Sequence, residues 1–196
     1  MNTRLATSKD LHQVVDIHLD RFQSFFLSSL GKIFLIEFYR GFLKRPGLLL
    51  VLEDEGKVVG FAAGSYDNNS FFKKLLKNNL FGFAKAGFVI LFSNPLALKR
   101  LSSNASKSSQ EMLNFAELLS IATISNKKGY GKILLSAFET ILKNDENFEL
   151  PISLTTDVVG NEKVVQFYKD SGYQIHNEFE SYNARKMYRF IKKTKI

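Results

Sequence analysis

Apolar residues recur at helical spacing through the first forty positions. Leu11, Val14, Val15, His18 and Phe22 fall on one face, and Leu35, Phe38, Tyr39 and Phe42 share a face within 30–43. Two amphipathic helices are expected, the first with Asp10 as its N-cap. His18 lies on the apolar face of the first, where the ordinary role is that of a satisfied core histidine. After Arg45-Pro-Gly47 the period changes. Residues 48–52 and 57–65 read as two strands joined by the turn Asp54-Glu-Gly56, a β-hairpin. Residues 114–123 read as a strand, a helix follows at Leu134, Leu135, Phe138, Ile141 and Leu142, then a strand at 150–156, a helix at 162–170, and strands near 173–179 and 184–191.

Between the hairpin and the strand at 114 the pattern changes character. Phe71, Phe72, Leu75, Leu76 and Leu80 suit an amphipathic helix, and 88–92 is almost wholly apolar. The order ααββ, insertion, βαβαββ implies one α/β (α+β) domain over 1–196. Its mixed sheet of six to seven strands is flanked by helices on both faces, with a helical insertion at 70–110 between the third and fourth strands.

Charge sharpens that division. Of 27 Lys and Arg, seven lie between Asn68 and Gln110, where none of the 19 acidic residues falls, leaving 20 basic against 19 acidic elsewhere. The excess is local. A basic, Phe-rich insertion has three readings: a lid shaping an acceptor site, a packing surface for a homodimer, or an interfacial helix touching a membrane surface through 70–100. No apolar run reaches the roughly 20 residues needed to cross a bilayer, and the N-terminus lacks a signal-peptide core. With no cysteine, disulfides, thiolate metal sites and thiol nucleophiles are excluded, and a cytoplasmic setting is expected. The three histidines are scattered without metal-ligand spacing, so no metal is expected, and no nucleic-acid partner either.

The chemistry concentrates at Asn126-Lys-Lys-Gly-Tyr-Gly131. A strand running through a glycine loop into a helix offers unpaired first-turn amides, the positive end of a helix dipole and close backbone approach, the physical means of holding a phosphate. Lys127, Lys128 and Lys132 add charge there. Taken alone, the loop reads equally well as a plain tight turn. Downstream stands Asn161-Glu-Lys-Val-Val-Gln-Phe-Tyr-Lys-Asp-Ser-Gly-Tyr173. In combination these resemble the GNAT acetyltransferase superfamily, whose cofactor loop is Gln/Arg-x-x-Gly-x-Gly/Ala and whose later helix carries Asn-x-x-Ala-x-x-(apolar)-Tyr-x-x-x-Gly-Phe.

The resemblance implies acetyl-CoA as co-substrate and an amine as acceptor. The pyrophosphate would lie on the backbone amides of Lys127, Lys128, Gly129, Tyr130, Gly131 and Lys132, with Asn126 a further loop contact, and the pantetheine arm along the strand edge Ser120, Ile121, Ala122 and Thr123 and against Asn161 and Val164. Tyr168 would serve the leaving thiolate, and Glu117, in Phe115-Ala-Glu-Leu118, would be the general base, with a solvated strand carboxylate as its plain alternative. Asn126 stands where the family has Gln or Arg, and Val164 where it has Ala, which would set the helix against a larger residue. The loop is also two residues shorter than usual. Pro151 at the start of the next strand suggests weakened pairing there. A non-catalytic acyl-CoA-binding module is the competing expectation.

Overall fold

The computed structural model describes residues 1–78, 114–124, 129–181 and 184–194. Most of the expected insertion, and with it the three readings of that segment, lies outside these residues. The elements are β1 (Asn2–Leu5), α1 (Leu11–Arg21), α2 (Gly31–Arg40), β2 (Gly47–Asp54), β3 (Lys57–Ser65), α3 (Asn68–Asn78) and β4 (Ala116–Thr123). They are followed by α4 (Tyr130–Lys143), β5 (Ile152–Asp157), α5 (Glu162–Asp170), β6 (Gln174–Glu180) and β7 (Lys186–Lys192).

One seven-stranded sheet runs in the order β1-β2-β3-β4-β5-β7-β6. Every pairing is antiparallel except β4 with β5. The alternation of the hairpin strands sets the two layers, because successive strand side chains face opposite ways. Leu49, Val51, Phe61 and Ala63 pack with α1 and α2 on one face. Leu48, Leu50, Leu52 and Ala62 pack with α4 on the other, where Tyr168 of α5 and Phe190 of β7 complete the layer. The β2–β3 turn places Glu55 at φ 50° and Gly56 at φ 75°, the left-handed pair of a two-residue hairpin turn that follows the sheet's twist. Gly64 is needed for a different reason: a Cβ there would sit 2.3 Å from the Glu117 carbonyl oxygen and 2.5 Å from the Phe138 ring.

Two expectations about local structure are corrected. Asp10 occupies the N-cap of α1 but makes no side-chain bond to that helix. Its carboxylate instead accepts from the Thr7 N–H at 2.7 Å and from Arg4 at 2.8 and 2.9 Å, pinning β1 to the helix start. Pro151 does not loosen the β4–β5 pair, since its carbonyl accepts from the Ala116 N–H at 2.9 Å. The pairing is lost at the opposite end.

Candidate active site

The parallel register joins Ala116, Glu117 and Leu118 to Ile152, Ser153 and Leu154, and stops there. Beyond it β5 stays with β7 as far as Asp157↔Met187, while β4 stays with β3 as far as Thr123↔Gly60, so the two strands part. A bulge accompanies the split. Ala63 pairs with Ser120 but Gly64 with Leu118, which leaves Leu119 as the extra residue. Bulges bend a strand and re-aim its side chains. The result is a cleft of about 580 Å³ through the sheet, lined by Leu118 to Thr123 on one wall and Thr155, Thr156 and Asp157 on the other.

On the α4–α5 side, two helix starts open into the cleft. Gly129 takes φ 98° as the N-cap of α4, a conformation that favours glycine, and the helix then captures the Ile133 N–H on the Gly129 carbonyl at 3.0 Å. The amides of Tyr130, Gly131 and Lys132 precede that first intrahelical bond and belong to the donor-rich turn. Gly131 lines the cleft, and a Cβ there would meet only the Phe167 ring, at 3.8 Å. The Tyr130 ring turns away, buried, and its hydroxyl donates to Asp54 at 2.7 Å, which ties α4 to the hairpin turn. Lys132 is exposed. Asn126, Lys127 and Lys128 lie outside the described residues.

Asn161 is the N-cap of α5 and lines the cleft, with its amide donating to the Thr156 hydroxyl across the wall. Val164 is 37% exposed and borders the cleft. Its methyls therefore narrow the opening, whereas the sequence suggested that they would press the helix against its neighbours. Tyr168 reaches the cleft from a buried position, its ring 5.8 Å from Phe190 and 5.9 Å from Tyr173. Burial pushes its phenol up to about 12, so it stays protonated at neutral pH.

Glu117 sits where the two strands still pair, outside the cleft lining. Strand alternation and the shared register place it on the α1–α2 face, with Ser65 and Ser153 as its cross-strand neighbours. Its Oε1 is 3.8 Å from Arg189 Nη1, and Arg189 also donates to the Ser153 hydroxyl at 3.1 Å.

The sequence did not single out the mouth on this face. Arg21, Phe22 and Phe25 come from α1 and the segment after it, Asp157 from the end of β5, and Arg185 from just before β7. Arg185 donates to both Asp157 oxygens and lies over the Phe25 ring at 4.7 Å. Arg21 donates to the Ile124 carbonyl at the end of β4. The three segments they come from lie about 30 to 160 positions apart in the chain, and nothing local marks them. Among the described residues, no group of three His, Cys, Asp or Glu is placed to hold a metal ion, and no helix is long and apolar enough to cross a membrane.

The model of the acetyltransferase (GNAT) family matches residues 11–173. The chain belongs to the GNAT acetyltransferase family. Its mixed seven-stranded sheet with a parted β4–β5 pair is a GNAT-like fold, and solved structures share it at low identity. One acetyltransferase crystal structure superposes with a TM-score of 0.69 at 17% identity, with both chains covered completely (100%). An N-acetyltransferase from Staphylococcus aureus Mu50 gives 0.67 at 17%, covering 98% of this chain and 100% of that one. An aminoglycoside 6'-acetyltransferase type Ii gives 0.62 at 13%, covering 100% of this chain and 99% of that one. No curated protein matches the chain.

Proposed function

We propose that this GNAT protein is an acyl-CoA-dependent N-acyltransferase that passes acetyl from acetyl-CoA directly to a primary amine on a small molecule, an amino sugar or a peptide. The carrying observation is the split itself: a cleft lined by two helix starts on one side and by Arg21, Phe22, Phe25, Asp157 and Arg185 on the other. Such a slot suits a ternary complex. A phosphorylated cofactor enters over the first turn of α4, and the amine arrives from the α1–α2 face.

The edge of β4 that faces the split at Ile121, Ala122 and Thr123 offers the amide arm of CoA the hydrogen bonds of an added strand, with Asn161 and Val164 across the gap. Backbone amides of this edge polarise the thioester carbonyl. The amine nitrogen attacks the carbonyl carbon, the C–S bond breaks, and the thiolate leaves beside the Tyr168 hydroxyl. Glu117 takes the ammonium proton through water, because it lies on the amine's face of β4 but back from the cleft. Neither a covalent enzyme intermediate nor a metal enters this sequence. The neighbour named for an aminoglycoside makes an amino sugar one acceptor class to try first. A chain without cysteine that uses acetyl-CoA fits a cytoplasmic setting.

Thiol release from acetyl-CoA, followed across a library of primary amines, tests the proposal. Amine-dependent release supports it. Acetyl-CoA binding with no release for any amine class would leave a binding module instead.

A further inference from the structure

Within the apolar layer between α1, α2 and the sheet runs a short polar chain. His18 Nδ1 is 2.7 Å from the Tyr39 hydroxyl, and the Ser120 side chain lies close enough to act on that phenol. His18 and Tyr39 are buried, and Phe22, Phe38, Phe42 and Phe61 surround them with ring centroids 4.9 to 5.8 Å away. His18 Nε2 has no partner among the described residues, so the sequence expectation of a satisfied core histidine is met on one ring nitrogen only. A core of apolar side chains of the same shape would avoid that loss. At its other end the chain reaches the cleft, because Ser120 is part of the lining.

The bulge makes this connection. Plain alternation from Leu118, which packs toward α4, would turn Ser120 toward α4 as well. With Leu119 as the extra residue, Leu119 and Ser120 both face the α1–α2 layer, Leu119 in its core and Ser120 on Tyr39. That is the face from which the acceptor approaches.

Resting on the acyltransferase reading, we propose that the Ser120 side-chain hydroxyl accepts a hydrogen bond from the attacking nucleophile at the split, with Tyr39 and His18 as positioning residues behind it. A serine oxygen has two lone pairs and one hydrogen, and its contact with Tyr39 can engage no more than one of the three. Whichever it engages, a lone pair stays available to an amine N–H or a water O–H. Burial pushes the His18 imidazole down to about 4, so the chain is neutral and carries orientation rather than charge.

Slow hydrolysis of acetyl-CoA, where water replaces the amine, gives a readout that needs no known acceptor. Tyramine, glucosamine and alanyl-alanine serve as probe amines beside it. Ser120→Ala and Tyr39→Phe should each lower thiol release about tenfold, and the double variant should fall no further than either single one, since both break one chain. Ser120→Thr should restore release to within about twofold, as it keeps the hydroxyl. The acetyl-CoA dissociation constant, read by calorimetry, should not move. Unchanged release in Ser120→Ala, additive losses, or a loss that falls on acetyl-CoA affinity would overturn the proposal. So would a protein that binds acetyl-CoA but turns over neither water nor any probe amine. A wild-type protein that does not bind acetyl-CoA would instead defeat the acyltransferase reading.

Discussion

Replacing Tyr168 by Phe removes one hydroxyl from the cleft and nothing else. The ring keeps its neighbours Phe190 and Tyr173 at 5.8 and 5.9 Å, so the thermal midpoint should stay within a few degrees. The size of the catalytic loss follows from acidity. A CoA thiol resembles a cysteine thiol, at about 8.5, while burial holds the Tyr168 phenol at about 12. Full proton transfer from phenol to thiolate is thus uphill by about 5 kcal/mol. The phenol therefore acts as a hydrogen-bond donor to sulfur as negative charge develops there. A hydrogen bond to a charged group contributes about 1.5–3 kcal/mol, which corresponds to a fall in kcat of roughly 10- to 150-fold. A neutral thioester sulfur accepts weakly, so the acetyl-CoA KM should hold within about twofold. Steady-state thiol release at saturating amine measures both. A kcat within about twofold of wild type, or an effect confined to KM, would refute the reasoning.

Three further outcomes follow from particular contacts. His18 is buried and neutral in the fold, with its pKa near 4 against an ordinary 6.5, so between those values the unfolded chain binds a proton that the folded chain refuses. Stability should therefore fall as the pH drops from about 6.5 to 4, by about 2–3 kcal/mol in urea unfolding, and His18→Gln should flatten that slope. Gly64→Ala forces a methyl against the Glu117 carbonyl and the Phe138 ring, and should cost about 3 kcal/mol or more by denaturant titration. An unchanged midpoint would show that β3 and α4 can separate freely. Glu117→Gln should lower amine kcat/KM by about 10² and remove the acidic limb of its pH profile, with acetyl-CoA affinity preserved.

Periodicity carried much of the architecture, because α1, α2 and α4 each present one apolar stripe to a layer of core, and the hairpin strands are near-continuous apolar runs buried on both faces. The α5 helix was found at 162–170 as expected, and β5 and β7 shifted by about two residues toward the C-terminus. What pattern alone did not show depends on long-range pairing. Strand β1 is four residues long, has no alternation of its own, and is held by Arg4 bridging Asp10 and Glu53. The bulge at Leu119 is visible only once β3 and β4 are in register, and without it Ser120 would be assigned to the wrong face. At the site, the glycine loop and the Asn161 and Tyr168 positions were legible because they follow one another along the chain on predictable elements. Phe25, Asp157 and Arg185 were not, since only the sheet order brings the end of β5, the start of β7 and the segment after α1 to one mouth.

The most direct test is calorimetric titration of acetyl-CoA into the wild-type protein and into Gly131→Glu. At Gly131 an added side chain meets only the Phe167 ring at 3.8 Å, so the substitution places a carboxylate at the cleft wall without disturbing the core. The wild-type protein should bind acetyl-CoA at a single site competed by free CoA, and Gly131→Glu should fold normally and lose that binding. Absence of binding in the wild type, or equal affinity in the two proteins, would contradict a cofactor site at the start of α4.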